Sequence, residues 1–205
     1  MTFLRARDVR KSFGEKLVLE NVTRDFPAGK ITLLSGPSGI GKSTILEILA
    51  GMTKPDGGRV ERFGKVSVAL QDNAIIPWLT AAGNLSFVVP KGTPPAERER
   101  AIADKLNFFE LDGRSLPGEL SGGMLRRLCL ARAFLFPRPI LLLDEPFAFL
   151  DERWHRAISG LMKKSAEEGA IVVMSGHSEN EALRETAPGL EVTIEIDRSP
   201  VIVRD

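Results

Sequence analysis

The nine residues GPSGIGKST at positions 36–44 bring three glycines, a lysine and three hydroxyls together. They follow the apolar run Ile31-Thr-Leu-Leu34 and precede Ile45-Leu-Glu-Ile-Leu-Ala50, which predicts a loop between a buried strand and a helix. Gly36 and Gly41 frame the spacing G-x-x-x-x-G-K-[ST], and glycine lets successive backbone N–H groups turn inward without a Cβ in the way. Such a nest holds an anion. The helix opening after Gly41 adds unpaired N–H groups and the positive end of its dipole, while Lys42 can reach outer phosphates and Ser43 can ligate magnesium. The chemistry implied is the binding of a nucleoside triphosphate. A plain glycine-rich turn would explain the glycines but does not ask for Lys-Ser directly after the last of them.

A second phosphate-chemistry element is Ile140-Leu-Leu-Leu-Asp-Glu-Pro146, an apolar strand that delivers two adjacent carboxylates at its C-terminal end. Ligands of open α/β sheets gather at that end. Asp144 is placed to hold a magnesium shell through water, and Glu145 to polarise a water for attack on a γ-phosphate. A lone Asp-Glu is commonly a solvated turn, but the phosphate loop in the same chain argues against that. The third element, Leu120-Ser-Gly-Gly-Met124, begins a predicted helix running to Ala133, with Ser121 as its N-cap and a glycine pair that admits a phosphate. Taken alone it is just a capped helix.

These residues need a scaffold. Short strands are expected around residues 4–9 and 17–22, followed by the turn Pro27-Ala-Gly29 and the strand before the glycine loop. Lys54-Pro-Asp-Gly-Gly58 breaks the chain, and residues 65–71 read as a strand ending on Gln71. From residue 77 to 119, Pro90, Pro94, Pro95 and Pro117 punctuate helical stretches such as 96–106, which reads as a helical insertion. Strands resume at 140–143 and 170–174 around a helix at about 152–168, an alternation that argues for right-handed βαβ units and a parallel sheet. The tail at 190–196 alternates as a half-exposed strand does.

At 205 residues the chain suits one sizeable domain, and a net charge of +1 provides no global field to recruit nucleic acid or an acidic membrane. The single cysteine, Cys129, cannot form an internal disulfide and is expected to pack in the core. No segment approaches the length of a membrane span, and MTFLRARDVRK lacks the apolar core of a signal peptide. The expectation is a cytoplasmic chain that reaches a membrane only by docking onto a separate integral protein.

The order GPSGIGKST, Gln71 after a strand, LSGGM, LLLDEP, Phe149-Leu-Asp151 and His177 after another strand resembles the ATP-binding cassette (ABC) ATPases over nearly the whole chain. The resemblance implies an α/β fold: a RecA-like P-loop NTPase core, its mixed sheet carrying an N-terminal antiparallel part, with a helical subdomain inserted at approximately 77–133 in a single domain, 1–205. It implies ATP and Mg2+ as ligands. Gly36, Pro37, Ser38, Gly39, Ile40, Gly41, Lys42, Ser43 and Thr44 match the Walker A cradle, and Phe13 matches the aromatic that stacks on adenine, its alternative being a core or edge aromatic. Gln71 matches the residue that touches magnesium and the attacking water. Asp144 and Glu145 match the Walker B aspartate and catalytic glutamate, and His177 the switch histidine that contacts the γ-phosphate. Ser121, Gly122 and Gly123 match the signature that meets the γ-phosphate of ATP on the opposite subunit, and Asp151 the loop communicating between subunits. His155 has no such context and is expected at the surface or in packing.

Residues 71–80, Met124 and Asp144-Glu-Pro-Phe147 look like the importer ATPases of the nitrate, taurine and aliphatic-sulfonate group. The implied partners are a second copy or a related cassette, an integral permease that places the chain at the inner face of the membrane, and a substrate-binding protein; nucleic acid is not among them. Pro77-Trp-Leu-Thr80 lies where these proteins meet the permease, so Trp78 is either an interface anchor or a residue packed inside the helical part. Two departures are a short stretch between the Walker loop and Gln71, and Leu125 where the importer pattern has Arg. The extra regulatory domain of some sugar importers is not expected. The alternative is a non-transport cassette ATPase acting on DNA or ribosomes, for which long coiled-coil insertions, paired cassettes or a basic face would be expected. A nucleotide-dependent interaction module without turnover would not require Glu145 and His177.

Overall fold

Strands β1 (Phe3–Phe13) and β2 (Lys16–Phe26) form an antiparallel hairpin around the two-residue turn Gly14-Glu15. β3 (Lys30–Ser35) then leaves this layer, passes the glycine loop, and leads into helix α1 (Lys42–Ala50). β4 (Gly57–Phe63) returns to pair antiparallel with β1, giving the order β2-β1-β4. The computed structural model describes residues 2–70, 74–136, 138–176, 181–197 and 200–203.

The second sheet is wholly parallel. It consists of β5 (Val66–Ala69), β6 (Ile140–Leu143), β7 (Ile171–Gly176), β3 and β8 (Glu191–Glu195), in the order β5-β6-β7-β3-β8. Its central strands are buried on both faces, which is why ILLL and IVVM read as unbroken apolar runs. Period two splits them between two cores. Ile31, Leu33, Leu141, Leu143, Val172 and Met174 belong to one, with Leu128 and Ile158 from the helices; Leu34, Ile140, Leu142, Ile171 and Val173 belong to the other, with Ile45 and Leu49 of α1 and Leu4 and Leu19 of the antiparallel sheet. Thus α1 and the phosphate loop are held between two sheets.

Between β5 and β6 the described chain is helical: α2 (Ala81–Phe87), α3 (Pro95–Phe108), a 3-10 turn at Pro117–Glu119 and α4 (Gly122–Ala133). Thr80 caps α2 by accepting from the Gly83 N–H, and proline opens α3, where a missing N–H costs nothing. α5 (Glu152–Glu167) lies between β6 and β7, and α6 (Glu181–Thr186) between β7 and β8. Three expectations need correction. The first two strands extend well beyond 4–9 and 17–22, the strand expected at 65–71 is regular over Val66–Ala69 and has ended by Leu70, and Gly57 and Gly58 of the expected break at 54–58 open β4 instead.

Candidate active site

Parallel register brings the chemistry to one edge. Ser35 of β3 lies opposite Gly176 of β7, and Leu143 of β6 opposite Met174, so Gly36 and Asp144 emerge from the same C-terminal edge of the sheet. At Gly36 a Cβ would collide with the carbonyl oxygen of Ile196, so only glycine fits where β3 becomes the loop. Gly39 and Gly41 also have positive φ, at 74° and 126°. Gly41 is the N-cap of α1, yet no side chain caps that helix and its first turn holds no acidic residue. Its leading N–H groups and dipole are therefore directed at whatever anion occupies the loop.

Lys42 is only 5% exposed. Its ammonium donates to the carbonyls of Gly36 (2.6 Å) and Pro37 (2.9 Å), and among the described residues it makes no ion pair with a carboxylate. A buried cation held by neutral carbonyls leaves a positive charge inside a cradle of N–H groups, the arrangement an incoming phosphate completes. Ser43 follows on the first turn, half-buried.

The carboxylates are set by a serine that the motifs do not contain. Ser175, buried on β7, donates its hydroxyl to Asp144 Oδ1 and accepts the backbone N–H of Glu145 at 2.8 Å. Asp144 is thereby fixed in a buried position, whereas Glu145 leaves the strand at φ 47° and is half-exposed. A left-handed backbone at a non-glycine residue is a cost commonly met where a side chain must be aimed. Hard oxygen donors on Ser43 and Asp144 suit magnesium. Among the described residues no group of three or more His, Cys, Asp or Glu gathers as a metal site, so such an ion would take further ligands from phosphates and water.

Ser121 accepts from the Met124 N–H at 3.3 Å and caps α4, as expected of a helix start. Gly122 is exposed, and Gly123 lies so close to the loop after Glu145 that a Cβ would come within 2.9 Å of the Phe149 carbonyl oxygen. Asp151 caps α5 through the Trp154 N–H at 3.1 Å. Phe13 is 52% exposed at the end of β1, which removes the core alternative but not the edge one, and the Lys11 ammonium lies over its ring, 5.4 Å from the centroid. Trp78 is 78% exposed, so the reading that packs it inside the helical part fails. His155 packs on Phe147, rings 4.9 Å apart, with Nε2 3.2 Å from the Phe147 carbonyl oxygen. Gln71 and His177 lie outside the described residues.

Two arginines of α4 were not singled out from the sequence. Arg126 is buried and donates to the carbonyls of Leu70 (2.8 Å) and Asp144, and Arg132 donates to the Ala74 carbonyl. The helix that starts at the Ser-Gly-Gly turn is thus fastened to the strand end carrying Asp144 and to both flanks of residues 71–73. Burial lowers the pKa of the Arg126 guanidinium from its ordinary value, against the opposing effect of Cys129, Asp144 and Glu145. Cys129 packs in the core as expected, and burial pushes its thiol pKa up. Among the described residues no helix is long and apolar enough to cross a membrane.

Comparison with known proteins agrees with this geometry. The ABC transporter family model matches residues 19–148. Over 182 residues the chain is 36% identical to the aliphatic sulfonates import ATP-binding protein SsuB of Corynebacterium glutamicum, covering 86% of this chain and 74% of that one. It is 34% identical over 196 residues to the sulfate/thiosulfate import ATP-binding protein CysA of Burkholderia mallei, covering 86% of this chain but 56% of that relative, about half its length. The dimeric structure of MJ0796, a bacterial ABC transporter cassette, superposes with a TM-score of 0.84 at 28% identity, covering 98% of this chain and 97% of that one. A post-hydrolysis MJ0796 dimer bound to ADP and Pi gives 0.80 at 27% identity, covering 95% and 97%. With the phosphate loop, the paired carboxylates and the cassette fold in one chain, the protein belongs to the ABC transporter family as its ATP-binding and ATP-hydrolysing subunit.

Proposed function

We propose that residues 1–205 form one nucleotide-binding unit, with residues 77–133 as its helical subdomain, and that two copies close around two ATP molecules to drive a separate membrane permease in solute import. The observation that carries the nucleotide chemistry is Lys42, a buried ammonium that, among the described residues, meets only neutral carbonyls at the start of an uncapped helix. In this reading the loop amides from Gly36 to Thr44 and the Lys42 ammonium hold the phosphates, and the Phe13 ring stacks on the adenine. Ser43, Asp144 and Gln71 would hold Mg2+, which when bound neutralises charge on the β- and γ-phosphates. Glu145 accepts a hydrogen bond from the attacking water and so raises the nucleophilicity of its oxygen; Ser175 keeps this carboxylate's backbone in place. His177 is assigned to the γ-phosphate. Ser121, Gly122 and Gly123 of one copy face the γ-phosphate held by the other, and Asp151 links the two.

The permease would dock at Trp78, a large exposed anchor, and hold the chain at the inner face of the membrane, with a substrate-binding protein completing the system. The solute is read as a small one such as nitrate, a sulfonate or taurine; of these, the names of the relatives above speak for the sulfonate. Two measurements test this. The chain should co-purify with a multi-span permease from its native membranes, and deleting its coding sequence should abolish uptake of one of the labelled solutes nitrate, taurine or an alkanesulfonate. Unchanged uptake of all three would remove the solute assignment, and absence of a permease partner would remove the transport reading.

A further inference from the structure

Asn84, on the first turn of α2, is fully buried, and its carboxamide is spent on one short stretch of backbone. Its Oδ1 accepts the Ile76 N–H at 2.9 Å, and its Nδ2 donates to the carbonyls of Ile76 (3.1 Å), Leu79 (3.0 Å) and Thr80 (3.1 Å). The Leu79 N–H closes the turn onto the Ile76 carbonyl, and the Thr80 hydroxyl caps α2. The helix start is in turn tied to residues 113–115, since the N–H groups of Ala81 and Ala82 donate to the carbonyls of Ser115 and Gly113. Both backbone groups of Ile76 and of Leu79 and the Thr80 carbonyl are thus held inward, while the one large side chain at the tip, Trp78, points out.

An exposed indole on a floppy loop would lose much of its binding energy to ordering on contact. One on a stapled loop meets its partner already in place. We infer that Asn84 is a positioning residue for partner docking: its carboxamide sets the 76–80 turn so that Trp78 is presented, pre-ordered, to an apolar recess on a cytoplasmic segment of the permease. This rests on the proposal above that a permease docks at Trp78. It adds a residue that touches neither ATP nor the permease yet governs the strength of their coupling.

The chain has two tryptophans, and the other, Trp154, is buried against Phe109. In a Trp154→Phe background Trp78 is the sole fluorophore, and its time-resolved anisotropy reads the local order of the turn. Asn84→Ala and the isosteric Asn84→Asp, which keeps the acceptor but removes the three donor contacts, should both enlarge the nanosecond motion of Trp78. ATP affinity and the far-ultraviolet circular dichroism should stay at parent values. On the purified permease that this chain co-purifies with, both variants should weaken binding about tenfold, as should Trp78→Ala, and Asn84→Ala should add little in a Trp78→Ala background. A merely structural role would lower the melting temperature without these two effects. If Trp78 is as rigid in both Asn84 variants as in the parent, or if they bind the permease as the parent does while Trp78→Ala does not, the proposal is overturned. If Trp78→Ala itself binds normally, the docking reading falls and takes the proposal with it; the anisotropy still shows whether Asn84 orders the turn.

Discussion

The guanidinium of Arg126 donates to the backbone carbonyl of Asp144, joining the helix that starts at Ser121 to the strand end that carries both acidic residues of the site. The same side chain holds the Leu70 carbonyl, the last described residue before Gln71. The start of α4, the end of β5 and the end of β6 are thus tied through one buried cation, whose interaction with carbonyl oxygens offsets its desolvation. Replacing it by leucine leaves the buried Asp144 carbonyl and the half-buried Leu70 carbonyl without this donor. Arg126→Leu should cost about 2–4 kcal/mol of unfolding free energy, and Arg126→Lys less, because an ammonium keeps the charge but lacks the planar fork. Urea denaturation of the three proteins checks this; equal stability of Arg126→Leu and parent would show that the bridge contributes nothing.

For Lys42, removal of the ammonium takes away the buried positive charge and leaves the cradle only its N–H groups. Lys42→Ala should lower ATP turnover by about a hundredfold or more, the scale of losing a charged group that meets transferring phosphates. Steady-state phosphate release measures it, and near-normal hydrolysis would remove the phosphate-loop assignment.

How much of this was legible beforehand depends on range. GPSGIGKST and LLLDEP carry their chemistry in local spacing, so the loop, the helix after it and the strand before Asp144 could be read directly. β4 could not: GGRVERF has little apolar content and begins on two glycines, and it is a strand because β1 supplies an antiparallel partner, with Phe3 opposite Phe63. Arg126 sits in the run RRLCLARA, where nothing local separates the buried arginine from its neighbour Arg127. Asn84 and Ser175 are small polar residues in apolar surroundings, and their partners lie on other segments. The exposure of Trp78 and Phe13 was equally invisible, because an aromatic in a sequence fits a core or an interface equally well. Polar residues that hold a site together through long-range contacts leave no periodic signal.

Glu145→Gln preserves size but cannot serve as a carboxylate base. ATP binding should be retained while hydrolysis falls about a hundredfold or more. Because the nucleotide then persists, size-exclusion chromatography with ATP should show more dimer for this variant than for the parent. Equal dimer content with slowed hydrolysis would keep Glu145 as the base but count against closure of two chains around ATP.

The division of labour between two copies gives the last expectation. If Ser121 of one chain meets the γ-phosphate held by Lys42 of its partner, Ser121→Arg and Lys42→Ala damage opposite halves of each shared site. A homodimer of either variant has two defective sites. A mixed dimer places both lesions in one site, because the altered loop faces the altered signature, and its second site is built from intact parts of each chain. The purified mixed dimer should therefore hydrolyse ATP faster than either variant homodimer, provided that one site can fire alone. Crosslinking decides the matter when the two sites must act together. Ser38→Cys stands in the phosphate loop and Gly122→Cys at the start of α4, where a Cβ meets nothing within 4 Å. The native Cys129 is buried, with its thiol pKa raised by desolvation, and should stay silent toward the reagent. With ATP and magnesium present, the two introduced thiols should bridge between chains, seen as a band of twice the monomer mass on denaturing gels. Bridges confined to single chains would refute the shared site.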